Sequence, residues 1–203
     1  MESNVSTQPK VRITPEEYLA LERKAETRSE YLDGEMFPMP GVTLQHVRIV
    51  VNLLIYLNTQ FRDRTFEALG PELRLKVSRT GLYTYPDVMI LGGDANSEDT
   101  HNDTMLDPCV IFEVLSDSTE SYDRGKKFAH YRSLDSLKEY FLVSQKEFRG
   151  ERFARHEEGN WLYSEVTDPK GTIEIASVAC RLQISQIYER VRFEDSSDAV
   201  PEI

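Results

Sequence analysis

Pro86-Asp87-Val88-Met89-Ile90-Leu91 and, with twenty-six residues from acid to acid, Ile111-Phe112-Glu113-Val114-Leu115-Ser116 are the two stretches on which the reading of this chain turns. Each sets one carboxylate on a segment that otherwise has the pattern of a buried strand. Asp87 opens Val88-Met89-Ile90-Leu91, and Glu113 interrupts Cys109-Val110-Ile111-Phe112 and Val114-Leu115. An ionised carboxylate in an apolar strand is unfavourable unless it is paired or bound to a metal. Two such acids in successive strands point to a hard divalent cation, which favours oxygen ligands.

Outward from these strands, Thr14-Pro15-Glu16-Glu17 is a helix start, with Thr14 as N-cap, Pro15 at the first helical position and Glu17 closing a capping box. That helix is expected to run to about residue 28, placing Glu30 just beyond its end. Tyr31 to Glu35 reads as a turn into a strand over 36–39. His46, Ile49, Val50, Leu53, Leu54, Leu57 and Phe61 recur at three- and four-residue steps, the mark of an amphipathic helix over 43–61. Strands are expected at 65–69, 73–78, 83–91, 109–115 and 139–143. A helix is expected over 122–134, an antiparallel meander over 150–155, 161–166 and 171–175, and a short helix over 184–191. The loop 92–107 is acidic but lacks the glycine and glutamate of a calcium-binding loop. The whole is an α/β (α+β) domain spanning 11–193, a central mixed β-sheet flanked by α-helices, with flexible polar tails at 1–10 and 194–203.

The bulk numbers narrow the function. No apolar run approaches the roughly 20 residues that span a bilayer, and the N-terminus lacks the basic and apolar regions of a secretory signal. A cytoplasmic protein without membrane contact is the expectation. Cys109 and Cys180 are too few for a zinc module or disulfide framework, and Cys109 reads as a buried free thiol. Twenty-four basic against thirty-five acidic residues give a net charge of −11, which repels a polyanion at long range. Any nucleic-acid footprint must therefore be local, and Arg124, Lys126, Lys127 and Arg132 form the candidate patch. No phosphate-binding or dinucleotide glycine motif occurs, and the histidines lack zinc-ligand spacing.

Glu30-Tyr31-Leu32-Asp33-Gly34, His46, Tyr85-Pro86-Asp87, Glu113-Val114-Leu115-Ser116 and Asp123-Arg124-Gly125-Lys126-Lys127, in this order, resemble the Uma-type family of restriction-endonuclease-like proteins, within the PD-(D/E)XK nuclease superfamily. The resemblance covers about Ile13 to Arg192. It implies a restriction-endonuclease-like fold and a metal-dependent endonuclease that hydrolyses nucleic-acid phosphodiester bonds, DNA before RNA, with Mg²⁺ or Mn²⁺ as cofactor. It also implies roles. Asp87 and Glu113, helped by the Val114 carbonyl, would hold the metal, and Glu30 would be a further acid at the site. The superfamily lysine belongs two residues after the strand acid, where this chain has Leu115. The family pattern moves it to the next helix, at Lys127; Lys126, where an acid is common, and His46 are candidate supporting residues around the site. A lysine there could stabilise a developing oxyanion or orient water.

Each residue has a plainer explanation beside this one. Asp87 could be a turn residue after proline, Glu113 a structural ion pair with Lys127, Glu30 a solvated helix-end charge, and His46 a satisfied core histidine rather than a supporting group. The rival for the whole chain is a nuclease-fold binding or regulatory protein with little catalysis, to which the charge and Leu115 both point. A homodimer is compatible with either.

Overall fold

The computed structural model describes residues 12–93 and 95–193; the tails expected at 1–10 and 194–203 lie outside these. In chain order the elements are α1 (Pro15–Glu22), β1 (Ser29–Leu32), β2 (Glu35–Pro38), α2 (Leu44–Phe61), β3 (Phe66–Leu69), β4 (Arg74–Val77), β5 (Leu82–Thr84), β6 (Val88–Gly92), β7 (Thr104–Met105) and β8 (Val110–Leu115). There follow α3 (Glu120–Tyr122), a π-helical segment over Asp123–Lys127, α4 (Phe128–Tyr131), β9 (Glu139–Ser144), β10 (Gly150–Arg155), β11 (Trp161–Val166), β12 (Thr172–Ile175), β13 (Cys180–Gln183) and α5 (Ile184–Ile187). Among the described residues no helix is long and apolar enough to cross a membrane.

The centre is a mixed six-stranded sheet in the order β11-β10-β9-β8-β6-β3, with β8 and β9 parallel and the other pairs antiparallel. All six residues of β8 are buried, because both faces of the sheet are covered. Alternate residues divide between two cores. Val88, Ile90, Val110, Phe112 and Val114 meet α2, α5 and the β12–β13 hairpin on one face. Met89, Leu91, Ile111 and Leu115 meet Phe128 and Tyr131 of the helical segment and Leu75, Val77 and Leu82 of a second sheet on the other. That second sheet has the order β2-β1-β5-β4-β7, and α1 packs on it through Tyr18 and Leu19 against Tyr31 and Tyr83. This is the mixed α+β architecture expected, with few helices.

Four elements differ from expectation. The helix α1 stops at Glu22 because residues 23–28 hold no large apolar side chain to bury and because the Glu22 carboxylate turns inward, accepting from Ser29 N–H (2.8 Å) and the Tyr85 hydroxyl (2.9 Å). Glu30 therefore lies in β1, not near a helix end. The single strand expected over 83–91 is two, β5 in one sheet and β6 in the other. Pro86, which has no N–H to give a ladder, sits in the break. β12 leaves the expected meander to pair with β13. Gly150 of β10 lies beneath this hairpin, where an added Cβ would collide with Ile173. Finally, the helix over 122–134 is broken into short α turns flanking the π-helical segment. Cys109 is a free thiol, half-buried rather than buried, and its Sγ–H donates to the Ile90 carbonyl (3.2 Å).

An ion-pair network ties the acidic loop to the second sheet. Asp103 accepts from Arg23 (2.8 and 2.9 Å) and pairs with the buried Arg74 (2.7 Å). The Arg23 and Arg74 guanidiniums hold the Asp103 carboxyl far below the usual carboxylate range. A carboxylate depressed in the folded state lends stability above its unfolded value, near 3.9, and loses it as pH falls toward the folded value. Asp103→Asn should therefore reduce unfolding free energy by about 2–3 kcal/mol at pH 7, and the gap from wild type should shrink as pH falls below about 4. Urea melts across that range measure this; a pH-independent gap would refute it.

Candidate active site

The break between β5 and β6 places Asp87 at the seam of the two sheets. Asp87 precedes Val88, which pairs with Phe112 of β8, so the acid stands beside Glu113 at the end of adjacent strands. Its Oδ2 accepts from the Val114 N–H (2.7 Å) and its Oδ1 lies 2.9 Å from Nε2 of His46. His46 sits in the first turn of α2, whose N-cap Thr43 accepts from the His46 N–H (3.1 Å).

Glu113 points to the opposite face from Phe112 and Val114, toward the helical segment. Its Oε1 accepts from the Tyr131 hydroxyl (2.7 Å) and from the Lys127 ammonium (3.0 Å). Lys127 also reaches Glu30 and Asp123, each at 3.6 Å. Asp123, Lys127 and Tyr131 recur every four residues and so share the inward face of the segment. Short π-helical stretches such as the one between Asp123 and Lys127 are frequent at functional sites. From β1, Glu30 accepts from the Thr84 hydroxyl and, through Oε2, from the Tyr122 hydroxyl (2.9 Å).

Glu30, Asp87, Glu113 and Lys127 thus converge, joined by Asp123. Their side chains are 12, 13, 3, 7 and 4% exposed respectively. Glu30, Glu113 and Asp123 lie 3.0–3.6 Å from the one ammonium, and Asp87 stands beside Glu113. Burial pushes the Glu113 carboxyl well up from its usual value, against the pull of Lys127, and burial raises Asp123 likewise. Burial alone would depress the Lys127 ammonium, but the charges of Glu113, Glu30, Asp123 and Asp87 outweigh it and hold Lys127 protonated. Burial also keeps Tyr131 a neutral phenol, able to donate to Glu113.

Asp87, Glu113, Asp123 and Lys127 line a cleft of about 1020 Å³ whose walls include Val42, Thr43, Val114, Ser116 and Gln145; Glu30 and Tyr131 touch that group of residues but line no part of the cleft. The donors are all oxygens, the chemistry of a hard cation such as Mg²⁺ or Mn²⁺, and the surplus of acid over ammonium leaves negative charge for such an ion to balance. Among the described residues, however, no set of three or more His, Cys, Asp and Glu side chains stands ready in metal-holding geometry. Asp87 has hydrogen-bond partners on both oxygens, and Lys127 is seated on Glu113. The residues fit the ion by chemistry, with side-chain adjustment needed to take it.

Two expectations fail here. Lys126 is exposed on the outer side of its segment, away from Asp87 and Glu113. The basic patch does not form either. Arg124 is engaged by Glu120 (2.7 Å) and by both oxygens of Glu151 (2.6 Å each), Lys127 faces inward, and Arg132 stacks over Phe128. Asp123 and Tyr131 were not singled out from sequence. The four-residue spacing to Lys127 on either side is the signal that would have found them. Ser116 and Thr119 hydrogen-bond each other (3.0 Å) in the turn that leads into α3.

The family model described as "Putative restriction endonuclease", Uma2, matches residues 15–186. The "Uncharacterized protein sll1609" of Synechocystis sp. is 32% identical over 164 residues, covering 81% of this chain and 93% of that relative. A second Synechocystis sp. relative, "Uncharacterized protein slr1290", is 30% identical over 185 residues, covering 91% and 96%. Among solved structures, a crystal structure from Anabaena variabilis titled as that of "a putative nuclease belonging to DUF820" superposes with a TM-score of 0.69 at 20% identity, covering 87% of this chain and 97% of that one. At that identity the likeness is one of fold.

Proposed function

The chain belongs to the Uma2 family, and from that premise we propose that it is a divalent-metal-dependent endonuclease that hydrolyses nucleic-acid phosphodiester bonds in the cleft above Asp87 and Glu113. The observation that carries the proposal is the gathering of Glu30, Glu113 and Asp123 around the single ammonium of Lys127, with Asp87 beside Glu113 on the adjoining strand. Asp87 and Glu113, with the Val114 carbonyl, would hold the ion. Bound there, Mg²⁺ or Mn²⁺ supplies charge neutralisation at the scissile phosphate and a more acidic water.

The chain's own groups do the rest. The Val114 N–H and His46 fix the orientation of Asp87, as Tyr131 fixes Glu113. Lys127, held protonated, is the group able to meet charge developing on a phosphoryl oxygen. Glu30 and Asp123 keep that ammonium over the strand ends. The recess limits water around these charges, which strengthens their interactions.

The test is cleavage of plasmid and oligonucleotide substrates with Mg²⁺ or Mn²⁺, against a chelator control and Glu113→Gln. Metal-dependent cutting lost in that variant supports the proposal. Cutting insensitive to chelator or to the substitution sinks it. Substitution of His46 by Ala should slow cleavage by about 10–100-fold, the usual effect of removing a residue that orients a metal ligand, with a matching loss of Mn²⁺ affinity by calorimetry. Unchanged affinity and rate would make His46 a packing residue only.

One observation favours a second reading, a nuclease-fold binding protein without turnover: Lys127 is engaged by three carboxylates and no metal-ready cluster exists among the described residues. Absence of Mg²⁺ and Mn²⁺ binding, with nucleic acid still bound, would select it.

A further inference from the structure

From the shape and charge of the cleft we infer that it takes a single-stranded stretch of polynucleotide and not an intact duplex. The inference rests on the nuclease reading above and names the substrate form for that site.

The first ground is charge. A duplex carries a phosphate charge about every 1.7 Å, and its binders typically neutralise several phosphates along a basic surface. Among the described residues that line the cleft, the Lys and Arg residues are Lys127, Lys146 and Arg192, against Asp87, Glu113, Asp117 and Asp123. Lys127 is buried among acids and Lys146 is paired with Asp117, which leaves Arg192 exposed. Arg124, Lys126 and Arg132, the basic residues of the helical segment that could have extended a footprint, line no part of the cleft. The lining suits a few phosphates, not a long rigid row of them.

The second ground is shape. The reacting groups are recessed, at 3–13% exposure for Glu113, Lys127 and Asp87. The cleft is half open to solvent, and its space of about 1020 Å³ is that of a large small-molecule pocket. The walls are also tied together. The Thr43 hydroxyl donates to Gln145 Oε1 (2.5 Å), Gln145 Nε2 donates to the Leu115 carbonyl (2.8 Å), and Gln45 Nε2 donates to the Arg192 carbonyl (3.4 Å). Thr43, the residue before α2, is thereby bound to the ends of β8 and β9, and the first turn of α2 to the chain near 192. A stacked, paired phosphodiester would have to bring its second strand through those walls. An unpaired strand would not.

The third ground is the chemistry of one wall. Met39, Pro40 and Val42 line it, and Val42 is 62% exposed. Apolar side chains at the mouth of a nuclease cleft have a partner in unstacked bases, whose faces accept apolar contact whatever their identity. In a duplex those faces are already stacked on each other.

The test uses the full chain and a fluorescein-labelled oligonucleotide in four forms: DNA single strand, RNA single strand, blunt DNA duplex, and duplex with a central unpaired bubble. Anisotropy in Ca²⁺ reads binding, and gels in Mg²⁺ or Mn²⁺ read cutting. One of the single strands should bind at least ~10-fold tighter than the blunt duplex, because the duplex must first be unpaired. The bubble should be cut faster than the blunt duplex. Val42→Glu, at an exposed position that leaves the melting temperature unchanged, should erase most of the single-strand advantage. Equal or tighter duplex binding, no binding of either single strand, a blunt duplex that is cut at least as fast as the bubble, or an unaltered preference in Val42→Glu would each overturn the inference. Selective single-strand binding with no cutting of any form would leave this inference standing and overturn the nuclease reading instead.

Discussion

Lys127→Met lowers the unfolding free energy by about 3–5 kcal/mol at neutral pH, the expected effect of removing one partner from a buried ion pair. Met keeps the length and much of the volume of lysine, so the effect is electrostatic, not a cavity. What remains is Glu113, Glu30 and Asp123 facing each other below the surface with no cation among them. The pH dependence identifies the cause. Glu113 and Asp123 are carboxyls raised in the folded state by burial. A raised carboxyl binds its proton more tightly folded than unfolded, so its contribution is favourable at low pH and is lost as pH rises through the folded value. Without Lys127 that value rises further, and the variant should regain stability toward pH 5 and lose it toward pH 8. Chemical denaturation at both values measures this. A deficit under about 1 kcal/mol, or one that ignores pH, would show the cluster to be better solvated than its burial implies. Nuclease activity should vanish in this variant under all conditions where it stays folded.

Asp87→Asn has the complementary signature: a folded protein that does not cut. The amide can accept from the Val114 N–H through its oxygen and donate through its nitrogen to Nε2 of His46, so both contacts of Asp87 survive if His46 takes the tautomer with Nε2 unprotonated. Stability should stay within about 1 kcal/mol of wild type, since no buried group is left unpaired. The negative charge is gone, and with it one of the two carboxylates proposed to hold the metal. A metal ion contributes several kcal/mol of charge stabilisation in such reactions, and each 1.36 kcal/mol is tenfold in rate, so cleavage should fall by at least about 10³-fold. Mn²⁺ calorimetry should show weakened binding in parallel. A variant that cuts within tenfold of wild type would remove Asp87 from the chemistry and leave it a strand-seam residue.

The sequence made the central features legible where pattern and burial agree. α2 was readable because its apolar residues keep one face over five turns and that face does meet the sheet. β8 was readable because a run buried on both sides is apolar throughout, and Glu113 stood out against it. The pairing of Glu113 with Lys127 answers a question that spacing alone left open: the side chains meet at 3.0 Å, as both the catalytic and the structural explanations require. Local pattern could not show that Tyr83 and Leu91 belong to different sheets, because the junction Tyr85-Pro86-Asp87 is only three residues long and the chain on both sides of it is apolar. Nor could it place Glu30, since Ser29-Glu30-Tyr31-Leu32 is a four-residue strand whose identity comes from pairing with β2 and β5. The basic patch was a sequence cluster that the helical segment dispersed, turning Lys127 inward and Arg124 onto Glu151.

The seam at Pro86 has a consequence for how such a chain can vary among lineages. β5 is registered against β1 and β4, β6 against β3 and β8, and three residues join them. Adding or deleting one residue there would shift Asp87 along the seam and away from the Val114 N–H. Length change should therefore be purged between residues 84 and 88, yet tolerated in the exposed turn at 156–160. In a population of diverging sequences, that junction should be a stretch of constant spacing even where its side chains drift.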